Sequence, residues 1–494
     1  MLKQLFTITA LVAGPALLTG CSGSSSESGS YSSNGGTSNP PPASNTSPET
    51  PIVDAEATTY YFSYDDSAST ASRDLSFAEI NAGRHPNRDW GRAYEFLNAE
   101  NFNHFNLELA GPFAISMGLY QASNNEVPLN ISLEGELYGL GVNISGPTLN
   151  KMERNNVVLT LLVDTSGSMG NSYSQSQSAI QSRMDVTQQG LLALTDSLKA
   201  GDIVNLVAFN SSAETELFGW SFDADLTDYE NAVNRLYAHN GTNIASGIAE
   251  AYRVANENFD PEKSNRIILL TDANANAGEV DPSIIADHIS QNGAEGIHLA
   301  GVGIGEGFND DFLNTLTDIG KSVYAAMITP ADADRLFRQD FIRFIDTAVS
   351  NVKFQLTYPQ NFDQLKSAAE EISEQEDDVQ TINFAYNSEQ FFLEMFSKDR
   401  EAEGHEQFAL TITYDDPAGE PQSVTLEKSL DELLGYGDDE IKSAATVVAL
   451  TDLIAGRIDC ETATTSALYQ QAIMTYTFTT YHNAIEKYCA IGNP

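Results

Sequence analysis

The central part of the chain, residues 154–350, alternates between two hydrophobic periods. Short runs rich in Val, Ile and Leu are typical of strands buried on both faces of a sheet. Stretches whose apolar residues recur every three or four positions predict helices. The predicted strands are 157–163, 202–209, 266–271, 297–303 and 322–327, and the predicted helices are 180–199, 228–237, 244–257, 281–291, 309–318 and 331–349. Strands that alternate with helices predict a doubly wound, Rossmann-like α/β unit with helices on both faces of its sheet.

The segments on both sides of this unit are predicted to be rich in β-strands, because polar and apolar residues alternate there one by one. The upstream strands are 112–121, 127–138 and 140–145, and the downstream strands are 351–358, 381–396, 407–414 and 423–426. Turn-forming residues at 415–419 separate the last two strands and predict a hairpin. Because strands lie on both sides of the α/β unit, we predict that it is inserted into one composite β-sandwich, with separate small sheets as the alternative. Helical periodicity over 438–457 and 462–488 predicts a C-terminal helical region.

The amino terminus carries the pattern of an export signal. Residues 1–3 form a short basic start, and the mostly apolar run 5–18 is too short to span a membrane as a mature helix. The following Leu18-Thr19-Gly20-Cys21 matches a bacterial lipobox. This match predicts a lipoprotein signal peptide over 1–20 and lipidation of Cys21. An ordinary secretory signal with a chance cysteine is the alternative.

A tether is predicted after the lipidation site. Residues 21–57 are rich in Ser, Gly, Asn and Pro, a composition that cannot bury a core and is typical of a flexible linker. Because Ser22 rather than an aspartate follows the cysteine, we expect a lipid anchor in the outer membrane of a bacterial cell envelope, facing the periplasm or the surface. The predicted domains are the signal peptide 1–20, the linker 21–57, a helical and β-rich region 58–153, the α/β unit 154–350, a β-rich region 351–435 and a helical region 436–494.

The net charge excludes one class of ligand. The chain has 25 basic and 69 acidic residues, which gives a net charge of −44. An acidic balance of this size repels nucleic acid and anionic lipid. We therefore expect no nucleic-acid partner, and contact with a membrane only through the lipid anchor.

The three cysteines indicate one disulfide. If Cys21 carries lipid, Cys460 and Cys489 remain as an even pair in an oxidising compartment. Such a pair predicts a disulfide that joins the ends of the second C-terminal helix or links that helix to the preceding turn. Two buried free thiols are the alternative.

Oxygen-bearing side chains follow two of the buried strands and precede one helix. Asp164, Ser166 and Ser168 come directly after the first predicted strand, Asp272 follows the third, and Thr242 precedes the helix 244–257. The carboxyl ends of parallel strands meet at the edge where open α/β sheets bind ligands. Carboxylate and hydroxyl oxygens suit a hard divalent cation. For the first loop taken by itself, a simple turn with capping residues is the alternative.

This arrangement resembles the metal-ion-dependent adhesion site of the von Willebrand factor A family, over about residues 155–350. The pattern Asp-x-Ser-x-Ser, then Thr, then Asp stands at Asp164, Ser166, Ser168, Thr242 and Asp272. The resemblance implies that the hydroxyl groups can ligate Mg²⁺, or Ca²⁺ or Mn²⁺, directly, and that the carboxylates do so directly or through water. Ala273 departs from the pattern, since many members have glycine after the last aspartate.

The resemblance implies a protein-binding module. A cation held by hydroxyls and two carboxylates stays electrophilic and can accept a carboxylate from a protein partner. We expect a lipid-anchored adhesion protein; the alternatives are an envelope scaffold with a non-essential metal site and a metal-assisted hydrolase. The sequence has no His-Glu-x-x-His motif, nucleophile elbow or phosphate loop, so no catalytic residue is predicted and we expect no enzyme.

A polar segment between the first loop and its helix is a candidate for specificity. Residues 170–182 are rich in Ser and Gln. They are predicted to lie on the metal-bearing face, either as a rim or lid for the partner or as a tolerated surface insertion.

Overall fold

A computed structural model describes residues 57–64, 70–122, 127, 136–174, 181–285, 289, 296–319, 323–398, 406–471 and 473–492. Residues 1–56 lie outside the described residues. The signal peptide, the lipidation of Cys21 and the linker therefore stay predictions. In the part of the chain that the structure describes, no helix is long and apolar enough to cross a membrane.

The described chain contains strands of three sheets and the helices that cover them. The strands are β1 (Ala57–Ser63), β2 (Leu107–Ala110), β3 (Phe113–Ala122), β4 (Glu136–Ser145), β5 (Val157–Asp164), β6 (Ile203–Phe209), β7 (Ala213–Ser221), β8 (Ser264–Thr271), β9 (Ile297–Ile304), β10 (Tyr324–Met327), β11 (Thr347–Pro359), β12 (Asp363–Ser367), β13 (Glu371–Ser373), β14 (Ile382–Ala385), β15 (Glu389–Lys398), β16 (Gln407–Asp415) and β17 (Pro421–Ser429). The α-helices are α1 (Ala71–Asn81), α2 (Ala93–Asn98), α3 (Arg183–Ala193), α4 (Leu226–Arg235), α5 (Ile244–Glu257), α6 (Asp310–Ile319), α7 (Pro330–Asp334), α8 (Phe341–Ile345), α9 (Leu430–Leu433), α10 (Asp438–Ala455), α11 (Cys460–Thr465) and α12 (Tyr476–Ala490).

The α/β unit has the doubly wound sheet that the hydrophobic pattern predicts. Its strand order is β10-β9-β8-β5-β6-β7, and all neighbouring pairs are parallel except β6 and the edge strand β7. Every residue of β5 is buried, because helices cover both faces of the sheet. Helices α3, α4, α7 and α8 pack on one face, and α5, α6 and the upstream helix α1 pack on the other.

The flanking strands form one composite sandwich around the inserted α/β unit, as predicted. One sheet has the order β13-β1-β11-β16-β17 with β14 beside β11, and the other has the order β12-β15-β4-β3-β2. Strands from before and after the α/β unit pair directly, with Tyr60 opposite Leu356 and Leu140 opposite Glu394. The inner faces of the two sheets share one apolar core, which includes stacked rings from both sheets. The hairpin of β16 and β17 is confirmed.

The C-terminal helices cover the outer face of the second sheet. Helix α10 packs with α2 and α12 against β3, β4 and β15. Cys460 and Cys489 form the predicted disulfide. The bond joins the start of α11 to the last turn of α12, so it links two helices rather than the two ends of one.

The predicted helix 331–349 is interrupted, and it is wrong at its last residues. It consists of the short helix α7, a π-helical segment Arg335–Gln339 and α8, and the chain is a strand from Thr347 onward. The apolar residues 347–349 fit a helical period equally well. The chain forms a strand here because β11 pairs with β14 and β16. This pairing is a tertiary effect that local propensity does not contain.

Other boundaries are also corrected. Predicted strands 127–138 and 140–145 are replaced, where described, by the single strand β4, and 381–396 is two strands separated at Asn387, whose φ is +59°. The predicted helix 462–488 is broken between α11 and α12. The sequence patterns missed five strands: β1, β2, β12, β13 and the antiparallel edge strand β7.

Candidate metal centre

Three loops at the carboxyl edge of the α/β sheet carry the predicted site residues. Asp164 ends β5, which lies in the sheet between β6 and β8, and Asp272 follows β8 directly. Thr242 lies just before α5. Helix α5 approaches β6 closely, because a Cβ at Gly247 would lie 2.7 Å from the Phe209 ring. The parallel strand order therefore places the three loops side by side.

Backbone hydrogen bonds tie the loops to one another. Gly167 N donates to Asn240 O at 2.9 Å, and His239 N donates to Thr165 O at 2.7 Å. Thr165 N in turn donates to Phe209 O at the end of β6, at 2.7 Å. The loop that carries the two serines and the loop that carries Thr242 are thus held in one fixed arrangement.

Asp164 is fully buried at the centre of the site. Its Oδ1 accepts from Ser166 N at 2.7 Å, and its Oδ2 accepts from Thr271 Oγ1 at 2.6 Å. Burial raises the pKa of Asp164 to about 6, against the lowering effect of these hydrogen bonds, and the nearby carboxylate of Asp272 raises it further. A positive charge placed here would therefore stabilise the ionised carboxylate.

The three hydroxyl groups are held by local partners. Ser166 Oγ and Ser168 Oγ lie 3.0 Å apart within hydrogen-bond distance. Thr242 N donates to Asn276 Oδ1 at 2.9 Å, and Asn276 Nδ2 donates to Thr242 Oγ1 at 3.4 Å. Asn276 therefore orients Thr242, and it is a positioning residue that the sequence analysis missed.

Thr271 was also missed, although it lies directly before one of the predicted ligands. Its hydroxyl donates to Asp164 and accepts from Ala273 N at 2.8 Å, so it joins the first and third loops. Ala273 has a φ of +57°, the left-handed region that favours glycine. The departure from the family pattern at this position is thus an alanine in a strained backbone conformation.

Arg183 lies against Asp272, and no local sequence pattern predicted this contact. Arg183 Nη1 donates to Asp272 Oδ2, and Arg183 Nη2 donates to Glu306 O at 2.9 Å. Both paired side chains are buried. The only available signal in the sequence was a basic residue at the start of the helix that follows the polar insertion.

The described ends of the polar insertion are pinned beside this arginine. Ser172 and Ser182 form an isolated bridge that closes the base of the insertion. Glu306 N donates to Tyr173 O at 2.8 Å, and Ser174 Oγ donates to Glu306 Oε1 at 2.7 Å. Residues 175–180 lie outside the described residues, so the rim or lid role stays a prediction.

The donor set fits a hard divalent cation. It offers two buried carboxylates and three hydroxyls, all oxygen donors, on loops that hydrogen bonds hold together. Among the described residues no group of three or more His, Cys, Asp or Glu side chains is suited to a metal, and this site has two such side chains, Asp164 and Asp272, beside its hydroxyls. The residues that would hold the cation are Asp164, Ser166, Ser168, Thr242 and Asp272.

The same segment matches a known family. Residues 159–275 match the sequence model of the von Willebrand factor type A domain. The α/β unit has the fold of this domain. The chain is 26% identical over 201 residues to the uncharacterized protein YfbK of Escherichia coli (strain K12), across 40% of this chain and 33% of that protein. It is 25% identical over 245 residues to inter-alpha-trypsin inhibitor heavy chain H3 of Mus musculus, across 48% of this chain and 26% of that protein.

These relatives are matched over about a third of their length or less. Among solved structures, a von Willebrand factor type A protein from Catenulispora acidiphila is similar, with a TM-score of 0.42 and 16% identity over 79% of this chain and 91% of that one.

Proposed function

We propose that this protein is a lipid-anchored protein of the bacterial cell envelope whose A-type domain binds a protein partner through a divalent cation, Mg²⁺ or else Ca²⁺ or Mn²⁺. The observation that carries the proposal is the meeting of an oxygen-only donor set at the carboxyl edge of the sheet. The proposed ligands are Asp164, Ser166, Ser168, Thr242 and Asp272.

The neutral and the charged ligands would have different roles at the cation. The neutral hydroxyls would contact the ion without cancelling its charge, and the two carboxylates would supply the affinity. When bound, the cation supplies an electrophilic coordination position for a carboxylate oxygen of the partner. The loops are already held by hydrogen bonds, so little conformational entropy is lost on binding.

The overall charge of the chain bears on how such a partner is recognised. A net charge of −44 opposes the long-range approach of an acidic protein. At physiological ionic strength this repulsion is screened beyond about 8 Å. Recognition would therefore depend on the short-range contact with the cation, and partner binding would be lost together with the ion.

The residues around the site favour binding over catalysis. His239 is the histidine beside the first loop, and it lies within hydrogen-bond distance of two neighbours: Nδ1 is 2.9 Å from Tyr237 O and Nε2 is 3.1 Å from Asn210 Nδ2. An imidazole held in this way is not free to act as a general base. The proposal therefore contains no catalytic step.

Anchoring in the envelope, with the outer membrane as the proposed location, rests on the sequence. The lipobox ending at Cys21 and the linker that follows it support a tether that would hold the A-type domain away from the lipid surface. Palmitate labelling of the expressed chain tests this part, and a Cys21→Ser variant that still takes up label would contradict it.

One observation favours a second candidate, an envelope scaffold whose metal site is not needed. Arg183 already gives Asp272 a compensating positive charge within the chain. In that case cations would change neither the stability of the protein nor its interactions.

Calorimetric titration of the full-length chain in detergent with MgCl₂ and MnCl₂ tests the metal site on which the first candidate depends. The proposal expects saturable uptake of one ion by the wild type and none by Thr242→Ala, which removes one hydroxyl without a buried charge. Thr413→Ala, an exposed threonine on the sandwich, is the matched control and should bind as the wild type does. No uptake by the wild type, or equal uptake by Thr242→Ala, would overturn the proposal.

A further inference from the structure

Arg183 is the charged group that the proposed function does not use, although it contacts one of the proposed ligands. It is the first residue of α3 and is only 7% exposed. Its guanidinium bridges Asp272 at the end of β8 and the carbonyl of Glu306 after β9. A buried cation beside a proposed cation site calls for a physical account, because the two positive charges repel each other.

The position of this guanidinium is built into the fold. The Arg183 backbone N donates to Asn171 O at 2.9 Å, and its carbonyl accepts from Thr187 Oγ1 at 2.9 Å. Gly305 has a φ of +76°, and a Cβ there would lie 2.8 Å from Arg183 Nε. A side chain at that position would displace the guanidinium, so the glycine leaves the space that Arg183 occupies.

The other nearby acid does not neutralise Arg183 through its carboxylate. Glu306 Oε1 accepts from Ser174 Oγ at 2.7 Å, and Glu306 Oε2 lies 4.0 Å from Arg84 Nη2. Glu306 therefore presents its backbone oxygen to Arg183 and its carboxylate to other partners. The charge of Arg183 acts on Asp272 and, through it, on the candidate metal centre.

We infer that Arg183 is a positioning residue that engages one oxygen of Asp272 and keeps the loaded site positively charged. It thereby lowers the affinity of the site for the cation and raises the affinity of the loaded site for a carboxylate ligand. This inference rests on the proposed function. Counting only the ion, Asp164, Asp272 and Arg183, the loaded site has a net charge of +1, whereas without the guanidinium the two carboxylates would neutralise the ion. The residual charge attracts an anionic group at short range.

The test uses the full-length chain with Arg183→Gln, the charge-retaining Arg183→Lys, and Arg253→Gln on the exposed face of α5 as control. MnCl₂ is titrated calorimetrically in a buffer free of carboxylate. Sodium acetate is then titrated into the manganese-saturated protein and followed by water-proton relaxation. Thermal unfolding of each variant in chelator shows that it is folded.

Removing the positive charge should change the two affinities in opposite directions. Arg183→Gln should bind Mn²⁺ at least about tenfold more tightly, and its loaded form should bind acetate at least about fivefold more weakly. Arg183→Lys should lie closer to the wild type in both measurements, and Arg253→Gln should match it.

Three results would overturn the inference: Mn²⁺ affinity unchanged or weakened in Arg183→Gln, acetate affinity unchanged, or Arg183→Lys equal to Arg183→Gln. Failure of the proposed function looks different, because neither the wild type nor Arg183→Gln would then take up Mn²⁺. Uptake by Arg183→Gln alone would overturn both, because the wild-type site would then never be loaded.

Discussion

Two arginine–aspartate pairs lie at opposite edges of the sheet in the α/β unit. The carboxylate of the pair at the amino edge accepts more hydrogen bonds. Arg154 donates to both oxygens of Asp202, at 3.1 and 2.6 Å. Asp202 also accepts from Val157 N at 3.0 Å and from Lys199 N at 2.8 Å. Both side chains are fully buried. Each carboxylate oxygen thus has two donors.

The pair at the carboxyl edge is less completely bonded. Asp272 Oδ2 accepts from one nitrogen of Arg183, and Asp272 Oδ1 accepts only a long bond of 3.4 Å from Asn274 N among the described residues. A carboxylate whose lone pairs are all engaged can only hold the fold together. A carboxylate with a weakly engaged oxygen can still serve a ligand. The comparison therefore separates a structural ion pair from one that leaves an oxygen for the proposed metal site.

The largest expected effect comes from breaking the amino-edge pair. Asp202→Ala leaves Arg154 buried without its counter-charge and should lower the free energy of unfolding by about 3–5 kcal/mol. Asp272→Ala should cost less in chelator, because its carboxylate accepts two hydrogen bonds whereas that of Asp202 accepts four. Urea denaturation of the full-length chain measures both, with the exposed Glu262→Ala as control. Equal losses at the two edges would contradict the comparison.

Glu394, a buried carboxylate in the sandwich, adds a third case to the two ion pairs, because the groups that donate hydrogen bonds to it are uncharged. Glu394 accepts from Ser367 Oγ and Gln364 Nε2, both at 2.7 Å, and burial raises its pKa to about 7. The folded state therefore binds the proton more tightly than the unfolded state, and stability falls as pH rises from the unfolded pKa to about 7.

Glu394→Gln removes this loss and should stabilise the chain by about 3 kcal/mol at pH 8, with little gain at pH 4. Denaturation across this pH range measures the difference between the two proteins. Ser373→Ala on the neighbouring sheet is a control that should keep the wild-type slope. Parallel profiles for the wild type and Glu394→Gln would show that Glu394 does not titrate in this window.

The smallest expected effect concerns backbone strain at the two edges. The amino edge has Gly201 at a φ of +88°, whereas the carboxyl edge has Ala273 at +57°. Ala273→Gly should stabilise the metal-free protein by about 1 kcal/mol, since glycine adopts this conformation without steric cost. Gly201→Ala should destabilise it, because the added Cβ would lie 2.2 Å from Asn156 Nδ2. Thermal unfolding in chelator would contradict this account if both variants shifted in the same direction.

The parallel strands of the α/β unit could be predicted from sequence, and the five ligands could be proposed, for the same reason. Buried parallel strands are continuous apolar runs, and the residues that follow them must meet at one edge of the sheet. The order of the motifs along the chain therefore predicted that their side chains lie close together at this edge. The Cys460–Cys489 pair followed from counting cysteines, and the structure contains it.

Other features depended on contacts that no local pattern contains. Residues 347–349 joined a strand because β14 offered backbone partners there. The edge strand β7 alternates weakly, since nearly all of its residues are exposed or half-buried. Thr271 and Asn276 were missed because their roles depend on which side chains face them across loops.

The sequence by itself determined the class of the fold, the position of the polar loops along the chain and the chemical nature of their donors, since periodicity and residue type are local properties. Only the tertiary structure decided that β1 pairs with β11 across the whole inserted domain, and that Arg183 lies against Asp272. Both are contacts between distant residues. Their free energy comes from hydrogen bonds and charges that exist only after the chain has folded.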